Sequence, residues 1–306
     1  MDKVKFKNYR TGIELSGNLY LPDNFDSTKK YPAIVVTHPG GGVKEQTAGM
    51  YAEKLSKLGY VTLAYDATYQ GESGGEPRYI DNPFQRSEDN SVAADYLSGL
   101  DFVDEDKLGI LGICAGGGHA VNCASTDHRF RAVATVSAFN VGPAFRMTLN
   151  LDDMDALDKA VLASNKAREI EAHGGPASYG TYVPATEEDA KASGSTMMYE
   201  AWEYYRTPRG ACPTATNQID VSSFMDMWRY DAFAPVHDML TQPLLMIAGS
   251  KAESLMFSED CIAKARCPKE LFLIDGATHV DLYDKEQYVP QVVEKLGSFY
   301  GEHIGA

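Results

Sequence analysis

The feature that most constrains the fold is a regular alternation between short apolar runs and stretches with helical spacing. After two opening β-type segments, KVKFKN and IELSGNLYLP, the apolar runs are YPAIVVTH, YVTLAYD, KLGILGIC, RAVATVSAF, PLLMIAGS and ELFLIDG. Short continuous apolar runs of this kind are typical of fully buried strands. Between them lie helical patterns, such as Tyr51, Leu55 and Leu58 on one helix face. The alternation predicts a mostly parallel central sheet flanked by helices, opened by an antiparallel hairpin.

The alternation stops between Phe139 and about His237, and the strand pattern resumes only at PLLMIAGS. We therefore expect an α/β core formed by residues 1–138 and 238–306, with residues 139–237 inserted as a helical lid. Helical patterns in this insertion are MDALDKAVLASNKAREIEA, TEEDAKAS, TMMYEAWEYYRTP and VSSFMDMWRYDAFA. Its many aromatic side chains either pack the insertion's own core or form pocket walls beneath the lid, and both interpretations stay open.

Charge and composition exclude several classes of function. The 306-residue chain is 44% hydrophobic and 23% charged, with a net charge of -15, which is the balance of a globular protein. No basic block offsets the acidic excess, so nucleic acid and anionic membrane surfaces are not expected partners. The N-terminal segment lacks an apolar run, and no stretch approaches 18 apolar residues. We predict a cytoplasmic protein that acts on small molecules, and a homo-oligomer remains open.

Five cysteines, odd in number and without CxxC spacing, predict free thiols, and one of them lies in a distinctive motif. The segment Gly112-Ile113-Cys114-Ala115-Gly116 matches the pattern Gly-x-nucleophile-x-Gly, which marks a sharp turn from a strand into a helix. Such a turn places the sulfur at a helix N-terminus, which favours the thiolate. The alternative is an inert buried cysteine in a Gly-rich helix start. An apolar strand before the motif and a small-residue helix after it favour a nucleophile.

A cysteine nucleophile needs a base, and His279 in GATHVDLYD lies just beyond the last predicted strand. This position suits the chain order nucleophile, acid, histidine. His119 follows the nucleophile by just over one helical turn, where a structural role is favoured over a place in the pocket. For the acid that orients the imidazole, Glu253 in GSKAES is the first choice and Asp260 the second.

Tetrahedral intermediates require two N–H donors, and we expect these from the backbones of Ala115 and Gly40. The lysine after the glycines of THPGGGVKEQ lacks P-loop spacing, which argues against a phosphate site. A metal site built from Cys114, His38 and His279 has no short ligand spacing to support it. No cofactor or metal is therefore expected.

The segment DATYQGESGGEPRY follows the fourth predicted strand and should lie along the carboxyl edge of the sheet, where open α/β sheets bind ligands. Tyr69, Gln70 and Arg78 are accordingly candidates for substrate contacts. The alternative is that they belong to a glycine-shaped loop held by its own hydrogen bonds.

Four motifs, HPGGGVKEQ, YDATYQGESGGEPR, GICAGGG and GATHVDLYD, together resemble the dienelactone hydrolase-related branch of the α/β-hydrolases. The resemblance covers the whole chain and implies the α/β-hydrolase fold and a Cys-His-acid triad. Cys114 and His279 correspond directly to the first two members of that triad. Where the family has an aspartate, this chain offers Glu253. Dienelactone hydrolase itself is shorter and lacks the 139–237 insertion, so its substrate does not carry over.

The expected function is hydrolysis of a small-molecule carboxylic ester or lactone through a thioester on Cys114. An acyl transferase or thioesterase on the same triad is the alternative within enzyme chemistry. A non-catalytic small-molecule binding protein, with an inert thiol, is the alternative outside it.

Overall fold

The computed structural model describes residues 1–305, and within them ten strands form an eight-stranded sheet and a small two-stranded one. The strands are β1 (Asp2–Lys7), β2 (Glu14–Tyr20), β3 (Tyr31–Thr37), β4 (Val61–Tyr65), β5 (Val103–Ile113), β6 (Phe130–Val136), β7 (Tyr179–Thr181), β8 (Gln218–Asp220), β9 (Leu244–Gly249) and β10 (Lys269–Ile274).

The helices are α1 (Thr47–Ser56), α2 (Pro83–Ser98), α3 (Ala115–Ala124), α4 (Val141–Met147), α5 (Met154–Ala172), α6 (Glu187–Ala192), α7 (Thr196–Arg206), α8 (Phe224–Arg229), α9 (Val236–Met239), α10 (Leu255–Lys264), α11 (Asp281–Asp284) and α12 (Val289–His303). Long helices begin at recognisable residues. Asn82, for example, caps α2 by accepting from two backbone N–H groups, and proline follows it at the first helical position.

The large sheet has the strand order β1-β2-β4-β3-β5-β6-β9-β10. β1 and β2 form the predicted antiparallel hairpin, and β2 also runs antiparallel to β4. Every other neighbouring pair is parallel. The predicted α/β-hydrolase fold, a mostly parallel sheet flanked by helices, is confirmed.

The sheet is buried on both faces, which explains its continuous apolar runs. Val35 of β3 belongs to an apolar cluster with α2 and α3, whereas its neighbours Ile34 and Val36 belong to a cluster with α1 and α12. Successive side chains of a strand point to opposite faces, so one strand contributes to both clusters. Full burial of each aliphatic side chain contributes about 1.5–3 kcal/mol, and this fixes the register of the central strands.

Residues 139–237, called here the inserted segment, lie between β6 and β9. Helices α4 to α8 and the start of α9 lie within it, and side chains of Asp153, Thr186 and Ser195 cap α5, α6 and α7. The segment also contains β7 and β8, which pair antiparallel. The prediction of a purely helical insertion was therefore incomplete. Strands of three residues are too short to produce a recognisable alternation in the sequence.

Two further observations concern the whole described chain. Its five cysteines are free thiols, as the sequence predicted. Among the helices of residues 1–305, none is long and apolar enough to cross a membrane.

Candidate active site

The turn between β5 and α3 holds Cys114 in a backbone conformation that side chains rarely adopt, with φ 56° and ψ -123°. The glycines on either side are sterically required. A Cβ on Gly112 would lie 2.2 Å from the carbonyl oxygen of Gly116, and one on Gly116 would lie 2.4 Å from that of Thr37. A left-handed non-glycine residue costs about 1–3 kcal/mol and persists only where its surroundings enforce it. Here the Cys114 N–H donates to Val136 of β6 over 3.0 Å.

Gly40 and Ala115 line the same cavity as Cys114, and their backbone N–H groups act to lower the pKa of its thiol. They are the two residues that the sequence predicted as oxyanion donors, and that role stays a prediction. Gly41 follows with φ +68°, and its carbonyl oxygen accepts from Asn217 of the inserted segment over 2.7 Å. The conformation of the Gly-rich loop is thus stabilised by the inserted segment.

A buried ion pair fixes the other end of that loop. The Lys44 side chain is fully buried, and its Nζ lies 2.7 Å from Asp66 and 2.7 Å from Glu72. The Lys44 backbone N–H also donates to Asp66 over 2.8 Å. Lys44 is therefore paired with carboxylates of the protein itself, which agrees with its lack of P-loop spacing.

His279 follows β10 and lies in the same cavity as Cys114. Its Nδ1 lies 2.6 Å from Ser254 Oγ, and its Nε2 lies 3.2 Å from the Tyr283 hydroxyl. Burial lowers the pKa of His279 to about 4, although the nearby charge of Glu253 acts in the opposite direction. The imidazole is consequently neutral at physiological pH, as a general base must be.

The structure does not support the expectation that Glu253 orients His279. The Glu253 carboxylate accepts from Ser195 Oγ over 2.6 Å and from the Thr196 N–H over 2.7 Å, so it binds the N-terminus of α7. The second choice, Asp260, pairs with Lys264 over 2.7 Å on an exposed face of α10. Ser254, the residue after Glu253, faces the imidazole instead. Adjacent residues of this loop point in different directions, and the sequence does not reveal which one faces inward.

Sequence reasoning also missed Tyr283, whose hydroxyl lies beside His279. The two residues are four apart, a separation that brings side chains together where the chain is helical. The backbone around Tyr283 is fixed by α1. The Tyr51 hydroxyl donates to the Leu282 carbonyl over 2.6 Å, and Thr47 Oγ1 donates to the Tyr283 carbonyl over 3.0 Å.

The protonation state of Cys114 also differs from expectation. Burial raises the pKa of the Cys114 thiol, while the Tyr283 hydroxyl and the N–H groups of Ala115 and Gly40 act in the lowering direction. The helix N-terminus was expected to favour the thiolate, but desolvation is the larger effect. The site therefore rests as a thiol beside a neutral imidazole.

The cavity above Cys114 has a volume of about 260 Å³. Cys114 and His279 lie at its base, and the inserted segment supplies much of the wall, including Phe145, Met197 and Tyr205. Among the described residues, none that lines this cavity is a lysine, arginine, aspartate or glutamate. Some aromatic residues of the insertion are thus pocket walls, while others, such as Tyr204, are packed in the apolar cluster between the sheet and helices α1 and α12.

Tyr69, Gln70 and Arg78 do not line this cavity, which favours the loop interpretation over substrate contact. Arg78 donates to the Gly71 carbonyl over 2.8 Å, and Gln70 Nε2 donates to the Ile80 carbonyl over 3.0 Å. Tyr69 is itself part of the turn, with φ 69°. The segment is a loop held by its own hydrogen bonds.

Two other buried histidines, His38 and His119, are held by contacts within the fold. His38 Nε2 accepts from the Ala67 N–H over 3.1 Å, and the His119 ring packs against Tyr230. Burial lowers the pKa of both histidines well below its usual value. In residues 1–305 no cluster of three His, Cys, Asp or Glu side chains is placed to hold a metal ion.

Known proteins share this architecture. The model of the dienelactone hydrolase family matches residues 15–165, which include the turn at Cys114. The uncharacterized protein YcjY of Escherichia coli K12 is 44% identical over 99% of both chains. The crystal structure of the hypothetical protein PA2218 from Pseudomonas aeruginosa, 33% identical, superposes with a TM-score of 0.88 over 99% of this chain and 93% of that one.

A more distant relative of similar length is named for an activity. The thiohydrolase of Eupenicillium brefeldianum is 25% identical, and the match covers 94% of this chain and 90% of that protein. The fold, the family model and the full-length relatives agree, and the chain belongs to the dienelactone hydrolase family of α/β-hydrolases.

Proposed function

We propose that the protein hydrolyses a carboxylic ester or lactone of a small, uncharged molecule, with Cys114 as nucleophile and His279 as general base. The observation that carries this proposal is the strained turn that holds the Cys114 thiol in one cavity with His279, Gly40 and Ala115. The N–H groups of Gly40 and Ala115 supply the pair of donors that acyl transfer needs where an oxyanion forms.

In the first half of the reaction His279 takes up the proton of the Cys114 thiol. The thiolate attacks the carbonyl carbon, and the N–H groups of Gly40 and Ala115 hold the resulting oxyanion. The bond to the alcohol oxygen then breaks, and the imidazolium returns its proton to that oxygen. A thioester remains on Cys114.

In the second half, neutral His279 takes a proton from water, and the hydroxide attacks the thioester carbonyl. Collapse of the intermediate releases the carboxylic acid and the Cys114 sulfur, which regains a proton from the imidazolium. Ser254 takes the place of the orienting acid. Its Oγ, 2.6 Å from Nδ1, keeps Nε2 directed into the cavity.

The cavity indicates the class of substrate. Its wall combines side chains such as Val141, Phe145, Met198 and Val183 and offers no lysine or arginine to pair with a carboxylate. Transfer of an unpaired carboxylate into such surroundings is costly. The acyl group is therefore uncharged and largely apolar, and the inserted segment acts as a lid that sets its size.

Thioester hydrolysis is the second candidate, favoured by the name of the thiohydrolase relative. It uses the same groups, with a thiolate in place of an alkoxide as leaving group. Since a thiolate needs less help from a general acid, a thioesterase would tolerate loss of the imidazole proton better than an esterase would.

The test is hydrolysis of aryl esters and thioesters of rising acyl chain length by the wild type, Cys114→Ala and His279→Ala. We expect Cys114→Ala to reduce kcat/KM by at least about 10³-fold, as loss of a nucleophile does. Intact mass spectrometry should detect an acyl adduct on the wild type. The control Cys267→Ala removes a half-buried thiol outside the cavity and should retain activity.

Retention of activity by Cys114→Ala would refute the proposed nucleophile. Acceleration of the wild type by added amines or alcohols would assign the protein to the acyl transferases instead. An unreactive Cys114 in a folded protein, with no turnover of any ester, would support the non-catalytic binding protein.

A further inference from the structure

A buried ion pair lies next to the loop that carries Gly40. Asp81 and Arg86 are each only 2% exposed, and Arg86 Nη1 lies 3.2 Å from Asp81 Oδ2. Arg86 belongs to the first turn of α2, and Asp81 comes just before the residue that caps this helix. Neither residue lines the cavity that holds Cys114. The pair can therefore influence the reaction only through the groups that it binds.

Arg86 binds the Gly-rich loop two residues before Gly40. Its Nη2 donates to the His38 carbonyl oxygen over 2.7 Å. The His38 side chain is fixed as well, since its Nε2 accepts from the Ala67 N–H over 3.1 Å. Rotation of the His38 carbonyl would leave a buried guanidinium without its acceptor, which is costly. The start of the loop is thus held in one conformation by α2.

The peptide group that contains the Gly40 N–H is held by the next contacts along the loop. The Pro39 carbonyl lies 2.7 Å from His38 Nδ1 and accepts from the Gly42 N–H over 3.1 Å. A peptide group is planar, so the Pro39 carbonyl and the Gly40 N–H point in opposite directions as one unit. The partners of the carbonyl therefore determine the direction of the N–H.

Asp81 fixes a residue of the inserted segment that packs against Gly40. The Tyr182 hydroxyl donates to Asp81 Oδ2 over 2.6 Å. Burial raises the pKa of Tyr182 well above its usual value, so the phenol keeps the proton that it donates. The Tyr182 ring lies against the loop, since a Cβ added at Gly40 would be 3.2 Å from it. One carboxylate oxygen thus accepts from both Arg86 and Tyr182.

We propose that the Asp81–Arg86 pair is a positioning device that holds the Gly40 N–H in the direction an oxyanion requires. The inference rests on the proposed function, in which Gly40 is one of the two donors. Arg86 fixes the loop through the His38 carbonyl, and Asp81 holds the Tyr182 ring against Gly40. Donors that are aligned before the reaction stabilise the charge of the transition state without reorganisation. Neither member of the pair touches the substrate, so both are positioning residues.

The first test variant is Arg86→Lys, which keeps the positive charge but replaces a planar fork of donors by a single nitrogen. We expect it to slow acylation of Cys114 by p-nitrophenyl butyrate by about 10²-fold, the effect of a misplaced group. KM should not change, because the lost interaction is made only in the transition state. Stopped-flow release of nitrophenolate measures acylation. Alkylation of Cys114 by iodoacetamide forms no oxyanion and should stay within about 2-fold of the wild type, since the charge near the thiol is kept.

The second variant, Tyr182→Phe, removes only the hydroxyl bonded to Asp81 and should slow acylation by about 10-fold as the ring moves from Gly40. Its matched control is Tyr230→Phe. The Tyr230 hydroxyl also comes from the inserted segment and lies 2.9 Å from Ser87 Oγ in α2, but Tyr230 does not line the cavity. This control loses a comparable buried hydrogen bond and should acylate within about 2-fold of the wild type.

Hydrogen exchange of the loop gives a readout that needs no ester. The Gly42 N–H, bonded within the loop, is the reporter. It should exchange at least about 10-fold faster in Arg86→Lys and Tyr182→Phe, because local opening becomes easier. In Tyr230→Phe it should exchange at the wild-type rate.

Wild-type acylation and wild-type exchange in Arg86→Lys and Tyr182→Phe would overturn the proposal. An equal loss of acylation and of Cys114 alkylation would also overturn it, because the pair would then support the whole site and not one donor. If Arg86→Lys does not fold, Tyr182→Phe and its control decide. Failure of the proposed function gives a different result: the wild type itself would form no acyl adduct, while exchange in the loop would still depend on the pair.

Discussion

The nucleophile side and the base side of the candidate site are built by different means. Around Cys114 the important atoms belong to the backbone: the N–H groups of Ala115 and Gly40, and carbonyl oxygens that would lie only 2.2–2.7 Å from a Cβ added at Gly112 or Gly116. Around His279 they belong to side chains, those of Ser254 and Tyr283. Backbone atoms depend on the path of the whole chain, whereas a side chain can be exchanged without altering that path. The nucleophile side should therefore fail abruptly on substitution, and the base side gradually.

The largest effect is expected from Gly116→Ala. Its Cβ would meet the Thr37 carbonyl at 2.4 Å and the His38 carbonyl at 2.7 Å, atoms that belong to β3 and the following loop and cannot yield. Overpacking of this kind costs about 3 kcal/mol, and displacement of the turn should abolish activity. Thermal unfolding and ester hydrolysis measure both effects.

The control is Gly301→Ala, in α12, where the nearest atom to a new Cβ is 3.9 Å away. Alanine favours a helix interior by about 0.5–1 kcal/mol over glycine, so this variant should be as stable as the wild type or more so. Similar behaviour of the two variants would contradict the idea that close backbone contacts define the nucleophile side.

The second effect in size is that of Ser254→Ala on the base side. Loss of the partner of Nδ1 leaves the imidazole free to rotate or change tautomer, and we expect turnover to slow by about 10–100-fold, a misplacement penalty, with KM little changed. Stability should change less than for Gly116→Ala. Steady-state kinetics test this expectation, and an unchanged kcat would show that Ser254 does not orient the base.

A matched control for that change is Ser258→Ala. The Ser258 hydroxyl is buried four residues further along, and among the described residues it has no hydrogen-bond partner. Its removal should leave kcat unaltered. Ser254→Asp would sharpen the comparison in the other direction, because a carboxylate beside Nδ1 should raise the pKa of His279.

The third prediction concerns pH. Because the pKa of His279 is lowered to about 4, the acid limb of kcat/KM should lie near that value and not near the 6.5 of a free histidine. Activity should therefore change little between about pH 5.5 and 8, the range in which a histidine with an ordinary pKa would titrate. A half-maximal rate near pH 6.5 would contradict the burial argument.

The stability of the protein should also depend on the protonation of His279, and this contribution should be lost as the pH falls. Between about pH 6.5 and 4 the unfolded chain binds a proton at His279 that the folded chain does not. The stabilisation is therefore complete above pH 6.5 and is lost as the pH falls towards 4. The buried His38 and His119, whose pKa values are also lowered, act in the same direction. Asp89 opposes them, because burial raises its pKa to about 6.

The smallest effect is expected from Glu253→Gln. Since its carboxylate caps α7 through Ser195 and Thr196, the change should cost about 1 kcal/mol of stability. It should also raise KM slightly, because α7 forms part of the cavity wall and would be held less firmly. Glu259→Gln, on the exposed face of α10, is the control. If Glu253→Gln instead slowed turnover by about two orders of magnitude, as loss of an orienting group does, Glu253 would be restored as the acid.

The sequence predicted best those features that depend on local backbone geometry. The strand pattern, the opening hairpin and the α/β-hydrolase fold are confirmed, because buried strands require apolar residues throughout. The turn at Cys114 could be recognised because its backbone tolerates only glycine at fixed positions. Helices α5 to α8 of the inserted segment were detectable from their spacing, while α4, β7 and β8 were not.

Side-chain partners were harder to predict. Glu253 was chosen because it is the carboxylate nearest to the loop expected after PLLMIAGS, yet which of two adjacent loop residues meets the imidazole depends on which one faces the core. Tyr283 carried a usable signal, its separation of four residues from His279. Tyr69, Gln70 and Arg78 were expected at the sheet edge. Only the full path of their loop shows that Gln70 and Arg78 donate to carbonyls of the same loop and that none of the three lines the cavity.

The uncharged wall of the cavity also bears on product release. Under the proposed reaction a neutral ester enters and a carboxylic acid is formed, which ionises at physiological pH. The surroundings that accept the ester provide no counter-ion for the new anion, so the anion is better solvated outside. The same wall that selects the reactant thus expels what is made from it, and accumulated acid should inhibit the enzyme only weakly.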